Sequence, residues 1–247
     1  MMICGCTNHL QTEQNLKRTL LLDIDGTLIQ RSLLQWFLEY LIRRRRIRLR
    51  TALWEAFRLS AAFTRKFYRW EMFYFHHYSV RDVETWAREC WDLEMRRRVH
   101  EGLIEPVREL QRKGAGIVLL SGTIPCLAEL FHDLFEIEAV ICSDPEIQDG
   151  RFTGRLVRPH PWGIRKYLYA DRWLAENGRE WSQTLALGNE WVDRHVFRHS
   201  TPVAIRPRRL LRFLAWKKGW PVIDEVDDEN AVRRVIEEQW RKMTDPF

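Results

Sequence analysis

The sequence predicts an α/β protein, a doubly wound and mostly parallel sheet carrying an inserted helical unit. Three observations lead there. Short apolar runs alternate with stretches at helical spacing, which builds a parallel sheet covered by helices on both faces. One long segment, 32–98, interrupts the alternation and holds no convincing strand. Three of the apolar runs end on polar residues, Asp23, Ser121 and Asn189. In open α/β sheets, ligands sit beyond the carboxyl ends of the strands.

The elements follow in order. Residues 1–17 are a polar N-terminal tail. "RTLLLDID" is a buried strand that ends at Asp23. Residues 32–98 are rich in Leu, Phe, Trp, Tyr and Arg at helical spacing, and Ser79 opens a helix over "SVRDVETWAREC". "EPVRELQRK" is a helix and "GIVLLSG" a strand. "PCLAELFHDLF" is a helix and "EAVICSD" a strand. "EIQDGRFTGRLV" is a hairpin turning at Asp149-Gly150. "GIRKYLYADRWLAENG" is a helix, "QTLALGN" a strand, "WVDRHVFRH" a short helix and "PVAI" a strand. "RRLLRFLAWKK" is a helix stopped by Gly219, and "NAVRRVIEEQWRKM" is the last amphipathic helix. The organisation is therefore a tail (1–17), a Rossmann-like core (18–31 and 99–247) and a helical insert (32–98).

Composition bounds the class. The chain has 247 residues, 45% of them hydrophobic, with twelve Trp, which supports a real core and excludes disorder. Net charge is +6, carried overwhelmingly by Arg, and this suits an anionic partner. No nucleic-acid-binding motif accompanies the charge, so no nucleic acid is expected. Five cysteines, Cys4, Cys6, Cys90, Cys126 and Cys142, include no CxxC pair and read as free thiols in a cytoplasmic protein. No apolar run reaches the roughly eighteen residues of a membrane span. The run Arg43–Arg50 reads as the solvated end of a helix in the insert, with peripheral contact at an anionic membrane surface as its alternative. The aromatic run "FYRWEMFYFHHY" reads as helix packing, and His76 and His77 as structural or exposed.

Asp23 and Asp25 raise a chemical question. Residues two apart on a strand share a face. Two such carboxylates repel unless they have a cation, a shared proton or open water. Ser121-Gly122-Thr123 follows the second strand, where the plain reading is a helix cap. Lys166 lies on a helix, with Arg165 as competitor for the same role. Asp193 follows Asn189 and could equally cap the next helix.

This ordered set, "DIDGT" at 23–27, "SGT" at 121–123, "GIRK" at 163–166 and "GNEWVD" at 188–193, resembles the four motifs of the haloacid-dehalogenase-like hydrolases. The helical insert after the first motif is similar to the cap of their phosphoserine-phosphatase-like branch, as are "DGRFTGRL" and "PVAIRPRRLLRFLAWKKGWPVI". The resemblance runs from Arg18 to Ile223. It implies a phosphomonoester hydrolase with Asp23 as nucleophile, forming an aspartyl-phosphate, and Asp25 as general acid and base. It implies Lys166 as a point charge, Ser121 and Gly122 binding phosphoryl oxygens, and Thr27 supporting the loop. Mg²⁺ is implied as cofactor, held by Asp23, Asp25 through its backbone carbonyl, Asn189 and Asp193.

One departure stands out: close relatives begin the fourth motif Gly-Asp, where this chain has Gly188-Asn189. That substitution supports an alternative, a noncatalytic phosphate- or lipid-binding protein on the same scaffold. In phosphoserine-specific members a Glu early in the cap holds the substrate's amino group. The corresponding position here is Ser32, which argues against phosphoserine. The expected substrate is a phosphorylated small molecule or lipid.

Overall fold

The computed structural model describes residues 18–47 and 72–243. The tail 1–17 with Cys4 and Cys6, residues 48–50 of the Arg43–Arg50 run, and the part of the aromatic run before residue 72 lie outside the described residues.

Six parallel strands form the sheet. They are β1 (Thr19–Leu22), β2 (Gly116–Leu120), β3 (Ile137–Ile141), β6 (Thr184–Gly188), β7 (Thr201–Ile205) and β8 (Val222–Ile223), ordered β3-β2-β1-β6-β7-β8. Two further strands, β4 (Asp144–Gln148) and β5 (Arg151–Arg158), pair antiparallel as a separate hairpin. Both residues of its turn, Asp149 and Gly150, have positive φ, at 51° and 71°. That is the backbone a two-residue hairpin turn requires, and Gly and Asp tolerate it.

Strand periodicity divides the core in two. Leu20 and Leu22 of β1 face one side with Ile117, Leu119, Leu185, Leu187, Val203 and Ile205. Leu21 faces the other with Val118, Ala186 and Ala204. On the first side pack α3 (Ile104–Arg112), through Val107 and Leu110, and α8 (Glu229–Lys242), through Val232 and Ile236. On the second pack α5 (Ile164–Glu176), α6 (Arg194–Phe197) and α7 (Arg209–Lys218), through Ala170, Phe197, Leu211 and Ala215. Both faces are covered, so the strands are continuous apolar runs.

Local signals set the helix ends. The Asp228 carboxylate accepts the Ala231 N–H at 3.0 Å and starts α8. Gly219, left-handed at φ 67°, ends α7. "PCLAELFHDLF" departs from the expected single helix: only Pro125–Ala128 (α4) is α-helical, and Glu129–Asp133 is 3₁₀.

After β1 the chain leaves the sheet. It passes through α1 (Leu33–Arg43) and α2 (Val80–Cys90), capped by the Ser32 and Ser79 hydroxyls, and a π turn follows at Trp91–Met95. The departing and returning strands of chain meet. Ile29 bridges Val99 in antiparallel fashion, Gln30 N–H donates to the Arg98 carbonyl at 3.2 Å, and His100 N–H donates to that of Leu28 at 2.9 Å. The hairpin also touches this segment: Phe152 and Tyr78 share a backbone hydrogen bond at 3.0 Å, and Phe152 packs on Phe75. His76 and His77 stack on each other. Cys90, Cys126 and Cys142 are free thiols. Among the described residues no helix is long and apolar enough to cross a membrane.

Candidate active site

All six strands run parallel, so their carboxyl ends share one edge. Asp23 follows β1, Ser121 follows β2, Asn189 follows β6 and Arg206 follows β7. Asp23, Asn189 and Arg206, with Gly122 next to Ser121, line a cleft of about 810 Å³.

Asp23 is buried at its floor. Its Oδ2 accepts the Thr27 hydroxyl at 2.9 Å, and its Oδ1 lies 2.6 Å from Lys166 Nζ. Lys166 reaches it from the first turn of α5, while Arg165 does not line the cleft. The same ammonium contacts Asp193 Oδ1 at 2.5 Å, and all three groups are buried. The other Asp193 oxygen accepts the backbone N–H groups of Asn189 and Glu190, at 2.9 and 2.8 Å. Both Asp193 oxygens are thus engaged, tying Lys166 to the Asn189 loop.

Asp25 stands beside Asp23 with different partners. Its Oδ1 accepts the Leu33 N–H at 2.6 Å, from the start of α1. Its Oδ2 accepts the Ser121 hydroxyl at 2.9 Å. The Ser121 oxygen in turn accepts the Thr123 N–H at 3.1 Å. Gly122 lines the cleft, and space is open where a Cβ would stand. Its carbonyl accepts the Ser143 hydroxyl at 2.6 Å, and His160 Nδ1 contacts that hydroxyl from behind. This brace escaped the sequence reading, because no motif marks Ser143 or His160.

The electrostatics follow from burial. Burial pushes the Asp23 carboxyl up to about 7, opposed by Lys166 and reinforced by Asp193 and Asp25. Burial also raises Asp25, with the Leu33 N–H and Ser121 hydroxyl pulling it back. Lys166 is held above its ordinary value: burial opposes its charge, but Asp193 and Asp23 together outweigh it. Three carboxyl groups share one ammonium, so with all three ionised the site carries an excess of negative charge.

The Asn189 side chain meets that excess. Its Oδ1 is buried with no hydrogen-bond partner among the described residues. A buried unpaired carbonyl is costly, and a cation would satisfy it. The amide presses on Gly26, where an added Cβ would come 2.0 Å from Nδ2, so φ 81° and this approach both require glycine. Among the described residues no three His, Cys, Asp or Glu side chains form a metal-ligating cluster. The available donors are instead mixed hard oxygens: the Asp23 carboxylate, the Asn189 amide and the loop carbonyls.

The mouth is cationic and aromatic, lined by Arg31, Arg194, Arg206, Arg208, Trp162 and Trp191. Arg31 pairs with Glu39 and Arg208 with Glu190. Sequence reading passed over these residues because Arg31, Trp162, Arg206 and Arg208 sit in loops without periodicity, and Trp191 and Arg194 in a helical segment too short to show a face.

A family model described as haloacid dehalogenase-like hydrolase matches residues 20–198, a span that contains every one of these site groups except Arg206 and Arg208. The chain belongs to the haloacid dehalogenase-like hydrolases. The family fold recurs in solved structures. A protein of unknown function from Bordetella pertussis Tohama I superposes with TM-score 0.73 at 23% identity, over 85% of this chain and 99% of that one. A phosphoserine phosphatase in apo form superposes with TM-score 0.60 at 16% identity, over 89% and 99%. Histidinol-phosphatase of Neisseria meningitidis serogroup C (strain 8013) is 29% identical over 123 residues, 48% of this chain and 55% of that relative. The match thus spans about half the length of the curated relative. The sheet order and flanking helices place this haloacid dehalogenase-like hydrolase with the phosphoserine phosphatase structures in fold.

Proposed function

We propose that the chain is a Mg²⁺-dependent phosphatase that hydrolyses a phosphomonoester through an aspartyl-phosphate on Asp23. The observation that carries this reading is the unlike treatment of two adjacent carboxylates at one cleft. Asp23 is fixed by an ammonium and a hydroxyl, as a nucleophile must be. Asp25 is raised by burial and held by neutral donors, as a proton carrier should be. The kinship to phosphatases in fold and over part of the sequence points the same way.

In the first step an Asp23 oxygen attacks phosphorus, the bond to the leaving oxygen breaks, and Asp25 gives that oxygen its proton. In the second, water attacks the aspartyl-phosphate, Asp25 takes the water proton, and Asp23 and phosphate separate. Lys166 offsets charge on Asp23 and the phosphoryl group, and Asp193 positions Lys166. The Ser121 hydroxyl turns from Asp25 to a phosphoryl oxygen, joined by the Gly122 N–H, and Thr27 orients Asp23. Asp23, the Asp25 carbonyl and the orphaned Asn189 oxygen would hold Mg²⁺, which supplies charge neutralisation when bound. Asp193 was expected among these ligands; its oxygens already accept three hydrogen bonds, from Lys166 and two N–H groups, where those of Asp23 accept two, so we assign Asp193 to positioning.

We take residues 32–98 as the cap that chooses the substrate. Ser32 lines the cleft without the carboxylate an amino group would need, and the Arg-rich mouth suits an acidic phosphomonoester, small or lipidic. The test is turnover of p-nitrophenyl phosphate with and without Mg²⁺. Metal-dependent turnover that Asp23→Asn abolishes is expected. The Asn189 substitution favours a second reading, a phosphate binder. Orthophosphate binding with no turnover across a broad ester panel would establish it and overturn the first.

A further inference from the structure

One surface stands apart from the cleft chemistry. Helix α7 buries Leu211 and Ala215 against the sheet but exposes Leu210, Phe213 and Trp216, at 62%, 61% and 77%. At about 100° per residue these three span an arc of roughly 120° on one side of the helix. The Phe213 and Trp216 rings lie 6.0 Å apart, forming one apolar ridge. Monomers seldom leave such a patch open without a use.

Charge indicates what covers it. The helix RLLRFLAWKK has four basic residues and no acidic one. Arg209 and Lys217 fall within the apolar arc, and Lys218 flanks it. Arg212 is neutralised by Asp224, with contacts at 2.8 and 2.5 Å. Arg209, Lys217 and Lys218 make no ion pair among the described residues. A two-fold contact with a second copy would set this cationic ridge against itself and bury like charges together. An anionic bilayer surface accepts both parts, taking the Leu, Phe and Trp side chains at the acyl boundary and the Arg and Lys heads at the phosphates.

We infer that the exposed face of α7 docks this protein on anionic lipid surfaces. The geometry gives the contact a use. Arg206 and Arg208, immediately before the helix, line the cleft, and the Arg208 N–H donates to the Asn189 carbonyl at 2.9 Å. Face and cleft mouth are therefore one continuous piece of chain. The docking does not depend on the proposed reaction, because lipid binding is read without turnover.

The experiment sediments the full chain with vesicles of phosphatidylcholine alone and of phosphatidylcholine with phosphatidylglycerol. Binding to the phosphatidylglycerol vesicles is expected, weakening in high salt. The triple variant Leu210→Ser, Phe213→Ser, Trp216→Ser, with unchanged circular dichroism, should partition at least about tenfold less. Arg209→Glu with Lys217→Glu should also lose binding while keeping the apolar ridge. The inference is overturned if the wild type does not sediment, if neutral vesicles bind equally, or if the triple variant binds like wild type. A wild-type dimer that the triple variant dissociates would assign the face to a second copy. Ridge-dependent binding to soluble polyglutamate would assign it to an acidic protein. Either result also overturns the inference.

Discussion

Lys166→Met would expose what holds the floor of the cleft together. Lys166 Nζ lies 2.6 Å from Asp23 and 2.5 Å from Asp193, and none of the three side chains is more than 8% exposed. Unit charges about 2.6 Å apart at an effective dielectric of ~20 attract by roughly 6 kcal/mol. Withdrawing each ion from water takes back several kcal/mol, so the pairs themselves stabilise the fold little. Deleting one partner is another matter, since breaking a buried pair costs about 3–5 kcal/mol. Here one ammonium serves two carboxylates, and its loss leaves both buried and facing each other. Protonation of Asp23, which burial already holds up to about 7, relieves part of the repulsion. We therefore expect a net loss of about 3–5 kcal/mol rather than twice that. At ~2–4 °C per kcal/mol for a chain of this size, Tm should fall by about 6–20 °C. The assay is urea unfolding near neutral pH with a chelator present. Adding Asp193→Asn on top of Lys166→Met should cost less than its effect in the wild type, with a coupling of about 1–3 kcal/mol. A Lys166→Met protein within about 1 kcal/mol of wild type would refute the reasoning, because the ammonium would then not be compensating two buried charges.

Other outcomes follow from the same geometry. Asn189→Asp adds a carboxylate where the orphaned amide oxygen now sits, so it should lower Tm without divalent cations and shift the Mg²⁺ concentration for half-maximal thermal stabilisation about tenfold downward. Equal Mg²⁺ midpoints for the two proteins would remove Asn189 from the ligand set. His100 is buried, and burial together with Arg206 holds its ring below the ordinary value. The unfolded chain then takes up a proton near ~6.5 that the folded chain resists, so stability should decline as pH drops below that value and stop declining once the folded ring protonates. His100→Gln should flatten that limb in urea midpoints measured against pH, and an unchanged slope would assign the pH dependence to another group.

Much of the fold could be read from the chain because strand ends and chemistry coincide. "TLLL", "GIVLL" and "TLALG" are apolar on both faces, which only a covered parallel sheet explains. Polar residues directly after such strands must meet at one edge, and the structure places Asp23, Ser121 and Asn189 there. What stayed hidden was pairing. No spacing rule says that Ser121 donates to Asp25, that Thr27 bonds Asp23, or that Asp193 spends both oxygens on Lys166 and two N–H groups. Those depend on side-chain direction in loops. The π turn at Trp91–Met95 was invisible for a similar reason, since it extends a helix whose periodicity already reads as continuous. In "RRLLRFLAWKK" the apolar residues fit two helix faces, and only packing shows that Leu211 goes inward while Leu210, Phe213 and Trp216 stay outside.

The clasp between Ile29 and Val99 has a consequence for how this architecture can vary. Because both crossings of the chain are fastened to each other, the described residues between them form a pendant on a closed ring, which rests also on Phe152 of the hairpin and on Phe131 and Asp133. Enlarging such a pendant costs only about 0.6 kcal/mol for each doubling of its length. Among the described residues it serves the chemistry beneath through a backbone N–H, that of Leu33 on Asp25, which any residue but proline can supply. With the cap role proposed above, one pendant can be traded for another to change which molecules are admitted while the carboxylates stay where they are.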